Sequence, residues 1–266
     1  MIKSLFLFNL RENKILIIAF SLIGTLYATV SIGMYDPSSA EALEAMLDLL
    51  PEAMIRMMGF DQIGGDITHY VSNYLYGFIM LLFPVIFSIM LGTKLVSKYV
   101  DQGSMTYLLT MPYTRRKIVI TQAVFFALSL FVIIFFNVLV IIVMSESMFP
   151  GSLDIWKFIM LNLVTYAVHL ALFGLTFLCS VLFSDSSKSL GVSGGILISF
   201  FILNMLSSIS EQTEFLKYFT PFTLIDIEHI LASGGNGVLG FIFTLITAIA
   251  IFIVSIEIFH RKSIII

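Results

Sequence analysis

Charge is what this sequence most lacks. Only 12% of its 266 residues are Asp, Glu, Lys or Arg, about half the usual share for soluble domains. A soluble chain of that length needs far more polar surface to cover its core, so an ordinary soluble domain is excluded. Cysteine is almost missing too. Cys179 stands alone inside an apolar run, which rules out a disulfide framework and a thiolate metal site. His69, His169, His229 and His260 are scattered along the chain and make no ligand set. No Gly-x-x-x-x-Gly-Lys-Ser/Thr occurs, so the chain carries no P-loop for ATP. It also has no internal repeat and no low-complexity tract, and no nucleic-acid partner is expected.

What is present is apolar length. Hydrophobic residues make up 59% of the chain and the mean hydropathy is +1.03, which predicts an all-α integral membrane protein with residues 1–266 as one membrane domain. Six stretches without Lys, Arg, Asp or Glu reach or approach the ~20 residues that span a hydrocarbon core: 15–35, 71–93, 118–144, 158–183, 189–209 and 238–256. Residues 1–13 have an apolar helical side (Ile2, Leu5, Phe6) beside Lys3, Arg11 and Glu12. They read as a separate helix lying in the headgroup zone. The rival reading, a signal peptide, is opposed by the early Arg11-Glu12 interruption.

Basic residues near span ends set orientation. With the N-terminus inside, Lys3, Arg11, Lys14, Lys94, Lys98, Arg115, Arg116, Lys117, Lys188, Arg261 and Lys262 gather on the cytoplasmic side, leaving Arg56, Lys157 and Lys217 outside. The expectation is a multi-pass protein of the cell membrane with both termini cytoplasmic. Two external segments are long enough for short helices before spans 2 and 6. In Asp36–Tyr70, Leu43, Met46, Leu47, Leu50, Met54, Met57 and Met58 fall at helical spacing, and Pro51 should bend or divide that helix. In Ser210–Gly237, aromatics and Leu224, Ile225, Ile227, Ile230 and Leu231 suggest short helices dipping into the outer interface.

The segment Lys94–Lys117 carries five basic residues and the single acid Asp101. Met105, Leu108, Leu109 and Pro112 fall at i, i+3, i+4 and i+7, along one side of a short helix over 101–112. Asp101 or Ser104 is placed to cap its start and Thr114 to cap the next helix, while Pro112 ends it. The apolar side Met105–Leu108–Leu109 is then free to dock on lipid or on a soluble partner.

From Gly103 to Ile118 this segment resembles the first cytoplasmic loop of ABC-2 type transporter permeases, with Ser104 where Thr is usual. Leu50-Pro51-Glu52-Ala53 with Gly59-Phe60 is similar to an element after the first span of that family, and Tyr218–Asp226 to one before the last, with Thr223 in place of a common Lys. Phe259-His260-Arg261-Lys262 is similar to the family's closing motif, with Ser263 where an acid is common. The resemblance implies that 101–112 is a coupling helix, with Met105, Leu108, Leu109, Pro112 and Arg115 as ATPase-coupling residues. It implies a permease subunit of an ABC exporter, one half of a translocation path. The partners would be two cytoplasmic ABC ATPase subunits holding ATP and Mg, and a second permease chain, identical or homologous. The chain itself would not be an enzyme. Short external loops and uncharged spans argue for a small or amphiphilic cargo, such as a drug, an antimicrobial peptide or a lipid.

Asn137, Asn162, His169 and Asn204 are the polar side chains singled out inside apolar runs. Unpaired, each costs several kcal/mol in hydrocarbon, so each faces protein or a cavity, as a helix–helix tie or as part of a polar path. Gly191 and Gly195 form a G-x-x-x-G in the fifth span, a spacing that lets helices approach closely. The alternative function is an autonomous carrier, or a membrane hydrolase or scaffold with no ATPase partner. A carrier needs ionisable groups in the membrane and finds only His169. A hydrolase needs a base oriented on Ser199, Ser207 or Cys179, and the sequence offers none nearby.

Overall fold

Backbone amides in an apolar run have no water to bond, so each run must satisfy them within a helix. The computed structural model describes residues 1–35, 49–57, 66–210, 212–233 and 236–262, and among them there is helix and no strand. In order the helices are α1 (Lys3–Met34), α2 (Glu52–Met57), α3 (Ile67–Tyr76), α4 (Ile79–Leu95), α5 (Ser97–Asp101), α6 (Met105–Thr110), α7 (Arg115–Met148), α8 (Ile155–Leu182), α9 (Ser186–Ser207), α10 (Ile227–Ser233) and α11 (Asn236–Arg261). Two 3-10 turns, Glu214–Phe219 and Pro221–Leu224, precede α10. Six helical stretches are long and apolar enough to cross a membrane, α3–α5 counting together as the second.

The spans surround α8. Its most apolar stretch is 78% buried, against 33% for α1 and 17% for α11. Helices α4, α7, α9 and α11 all pack on it, while α1 packs on α7, α3 and α4. Phe173 of α8 stacks on Phe126 of α7 with ring centroids 4.4 Å apart. Helix α4 comes close through Gly92, where an added Cβ would lie 2.4 Å from Thr176 Cγ2. One turn away, Ser88 Oγ donates to Thr176 Oγ1 at 2.9 Å.

Three expectations need correction. Residues 1–13 are not a separate interfacial helix, because α1 runs unbroken from Lys3 to Met34. Arg11, Glu12, Asn13 and Lys14 change which side is polar, but none of them breaks a helix. Asn13 Nδ2 donates to Asn9 O at 2.9 Å, and the Asn9 amide donates to Gln122 Oε1 of α7.

The second span is not one rod. Phe78 leaves helical geometry (φ −142°, ψ −63°) after Gly77, and Pro84 inside α4 removes the donor for the carbonyl four residues earlier. A second break falls at Val96 (φ −131°, ψ −62°). There Ser97 N–H donates to Ser180 Oγ of α8 at 2.9 Å, while its own hydroxyl donates to Thr93 O at 2.9 Å. The side chain takes over the bond that the backbone N–H gives up.

The third correction concerns the 101–112 helix, which is two pieces. Asp101 ends α5, Gly103 takes a left-handed turn (φ 69°), and α6 starts only at Met105. Neither expected cap forms: Ser104 makes no cap bond, and its hydroxyl donates to Tyr99 O at 3.2 Å. The Thr114 cap does form, accepting from Lys117 N at 3.4 Å.

Of the two segments expected outside, the first has Pro51 standing before α2, its carbonyl accepting from Met54 N and Ile55 N. Leu43, Met46, Leu47, Met58, Gly59, Phe60 and Ser263 lie outside the described residues. Before the last span, the 3-10 turns carry Phe222 inward. It is 2% exposed and sits edge-on to His169 at 5.8 Å.

Gly92→Val should lower the thermal unfolding temperature of the detergent-purified chain, because overpacking of this kind costs about 1–3 kcal/mol. Gly191→Ala should leave that temperature unchanged, since nothing lies within 4 Å of its Cβ position. Equal melting of both variants would refute the close α4–α8 contact.

Candidate functional site

The sequence-predicted residues sort into two groups. Asn137, Asn162 and His169 lie inside the bundle, and Met105, Leu108, Leu109, Pro112 and Arg115 lie at its basic end. In the first group, Asn137 Nδ2 donates to Ile133 O at 2.8 Å, and its Oδ1 accepts from Thr25 Oγ1 of α1 at 3.4 Å. Gly24 makes room for it, since a Cβ there would stand 2.7 Å from that oxygen. Asn162 Nδ2 donates to Phe158 O at 2.8 Å and its Oδ1 accepts from the Tyr76 hydroxyl of α3. His169 is fully buried, with Nδ1 2.8 Å from Thr165 O and Nε2 3.1 Å from Leu81 O of α4. A neutral imidazole donates through one nitrogen only, so both contacts are hydrogen bonds only when the ring is doubly protonated. These three side chains tie α1 to α7, α3 to α8 and α4 to α8. Asn204 is half-buried on α9, and its carbonyl accepts from the Ser207 and Ser208 hydroxyls.

The second group is brought together. Met105 is 1% exposed and packs with Leu91, Leu95, Val96 and Val119. Leu108 and Leu109 are half-buried against Ile2, Leu5 and Ile118. The expectation that Met105, Leu108 and Leu109 form a free docking side is therefore corrected. An apolar stripe shows that a helix side is buried, and here the cover is the chain's own α1 and α7. The face of α6 turned outward is the other one. Tyr107 is 75% exposed, and Met111 and Tyr113 are 46% and 42% exposed, with Pro112 exposed between them. Between this rim and the start of α1 runs an apolar groove of about 320 Å³, with Phe8, Tyr99 and Ile118 in its walls. Tyr107, Met111 and Tyr113 were not singled out from sequence. The signal that finds them is Tyr107 and Met111 at i, i+4 on the side opposite Met105.

Bonds join this end to every span. Arg115 Nη1 donates to Lys262 O at 2.9 Å. The Lys262 ammonium donates to Val181 O at 2.8 Å and Leu182 O at 2.9 Å, capping the C-terminus of α8. Partial burial draws that ammonium below its ordinary pKa. Arg116 Nη2 pairs with Glu257 of α11 at 2.7 Å, an exposed ion pair worth little by itself. Asp101 accepts from the backbone N–H and the hydroxyl of Ser186 at the start of α9. Ile2 N donates to Thr121 Oγ1 of α7 at 2.8 Å. A force applied at α6 thus reaches α1 and α7 through packing, α8 through Ser97–Ser180, and α9 and α11 through Asp101 and Arg115.

The family described as ABC-2 family transporter protein matches residues 7–264 of this chain. No curated protein matches.

Leu108→Ala should destabilise the purified chain by about 1–2 kcal/mol, less than a full core Leu→Ala change because the side chain is half-buried. Tyr107→Ala should stay within about 0.5 kcal/mol, as exposed positions do. Thermal unfolding in detergent reads both. The reverse ranking would mean that α6 shows its leucines to the outside.

Proposed function

The chain belongs to the ABC-2 family of transporter proteins, the membrane permeases of ABC transporters, and from that premise we propose that it is the permease half of an exporter driven by ATPase subunits. Two such chains form the path, and two separate cytoplasmic subunits bind ATP and Mg. The basic end faces the cytoplasm, as the distribution of Lys and Arg supports. The cargo is small or amphiphilic, which agrees with six spans free of Lys, Arg, Asp and Glu over 15–35, 71–93, 118–144, 158–183, 189–209 and 238–256.

One observation carries the reading. Helix α6 is anchored by Met105, Leu108 and Leu109 in its own chain, and its Tyr107–Met111–Tyr113 rim is left exposed at the point where bonds to all six spans converge. A docking lever needs both a fixed side and a free side. In this reading the rim enters the ATPase cleft, and Arg115 transmits its movement to the end of α11.

Tyr107→Ala with Met111→Ala should leave the chain folded but reduce co-purification of the P-loop ATPase by about two orders of magnitude. The basis is roughly 1.5–3 kcal/mol for each large apolar side chain buried and a factor of ten for each 1.4 kcal/mol. Undiminished ATPase recovery would defeat the docking assignment. Sidedness has its own check: in Cys179→Ala protein, a cysteine at Ser104 should react with impermeant maleimide only after the cells are opened. Labelling from outside intact cells would reverse the topology.

A further inference from the structure

Lys94 and Lys98 take no part in the contacts described so far. They stand at i, i+4 on either side of the Val96 break, both exposed, and neither forms an ion pair among the described residues. The Ser97–Ser180 and Ser97–Thr93 bonds hold that break, so the two ammonium groups are carried on a fixed piece of backbone. Both line the same two clefts. One, of about 350 Å³, opens toward α1 and includes Glu12, Asn13 and Gln102. The other, of about 310 Å³, opens toward α9 and is completed by Met90, Thr93, Ser186, Ser187 and Leu190.

The α9 cleft is positive and graded in polarity. No carboxylate lines it. On the α9 side the nearby acids are engaged: Asp101 accepts from Ser186, and Asp185 accepts from the backbone N–H groups of Ser187 and Lys188; Glu12 lines the other cleft, toward α1. Toward the basic end its walls are the two lysines and the Ser187 hydroxyl; toward the spans they are Met90 and Leu190. Past Leu190, α9 exposes Val192 and Ile196 beside three glycines. Gly191 and Gly195 have nothing within 4 Å of a Cβ position, and Gly194 meets only Ile89, at 3.7 Å. A cationic mouth thus leads into an open apolar strip along a membrane-spanning helix.

We propose that this cleft is a binding site for an anionic phospholipid, its phosphate held between Lys94 and Lys98 with the Ser187 hydroxyl, and one acyl chain lying along Met90, Leu190 and the glycines of α9. Charge complementarity and the polar-to-apolar gradient both select an amphiphile over a free anion, because a free anion leaves the strip uncovered. The site does not depend on the docking of α6. Lysines that serve only to orient a chain in the membrane need no such cleft, and the two roles separate experimentally.

The test is native mass spectrometry of the full chain in mild detergent, titrated with phosphatidylglycerol or with phosphatidylcholine of the same acyl chains. Phosphatidylglycerol should bind the unmutated chain and Lys188→Gln equally, since Lys188 is exposed on the same side but lines neither cleft. Lys94→Gln with Lys98→Gln should weaken it about thirtyfold, equivalent to ~2 kcal/mol and to the pull of two basic residues at an anionic surface. Lys94→Arg with Lys98→Arg should restore binding. Phosphatidylcholine should bind about as weakly as phosphatidylglycerol does to the double Gln variant. Inorganic phosphate should fail to displace the lipid; full displacement by it would make this a site for the free anion and overturn the proposal. Equal binding of the two lipids, an unaffected double Gln variant, or an equal loss in Lys188→Gln would overturn it as well. Should the double variant not purify, Lys94→Gln and Lys98→Gln taken singly must each lose about fivefold for the proposal to stand.

Discussion

An amide left without a partner in hydrocarbon costs several kcal/mol, and this constraint governs the shape of the second span. That span is interrupted at Gly77-Phe78 and again at Val96, so it depends on its neighbours for what a straight helix supplies itself. At Val96 the repair is specific, with Ser180 of α8 accepting from the Ser97 N–H and the Ser97 hydroxyl bonding Thr93 O. Near the first break, the Leu81 carbonyl is met by the His169 ring of α8. Both contacts are made by α8, the most enclosed of the six. The breaks redirect the chain toward α6 at one end and toward α3 and Tyr76 at the other.

The intramembrane polar side chains can be understood in the same way. Asn137 and Asn162 each use one amide hydrogen on a carbonyl of their own helix and offer the oxygen to a hydroxyl from a neighbouring helix. Such bonds are modest in energy, averaging about 0.6 kcal/mol, but they specify which faces meet. Gly24 opposite Asn137 and Gly92 opposite Thr176 permit the approach. A path for cargo is therefore better sought on the faces this chain leaves open than among these ties. Exposed apolar side chains run along α1, α7, α9 and α11.

At the basic end the design is different, because water is available and charged groups carry the connections. The α7 start, the α11 end and the α8 C-terminus meet through Arg115, Arg116, Glu257 and Lys262. Exposed pairs of this kind add little stability, and their value is geometric. They join the segment that carries α6 to helices it does not itself touch.

Composition, span length and the placement of Lys and Arg are local properties. They were enough to read an all-α membrane protein with six spans, and the motifs around Gly103–Lys117, Leu50–Ala53 and Tyr218–Asp226 were enough to point to the ABC-2 family that matches residues 7–264. The Thr114 cap was legible for the same reason, since it depends on residues a few positions apart. What sequence alone left open was which surface faces which. The stripe Met105–Leu108–Leu109 signalled burial, but only the fold shows that Ile2, Leu5 and Ile118 are the cover, leaving Tyr107 and Met111 outside. Likewise, the Asn9 side chain of α1 meets Gln122 of α7 across 113 residues. Hydrophobicity sets whether a side chain leaves water. The partner it meets is fixed by contacts distant in sequence, and local pattern carries no record of those.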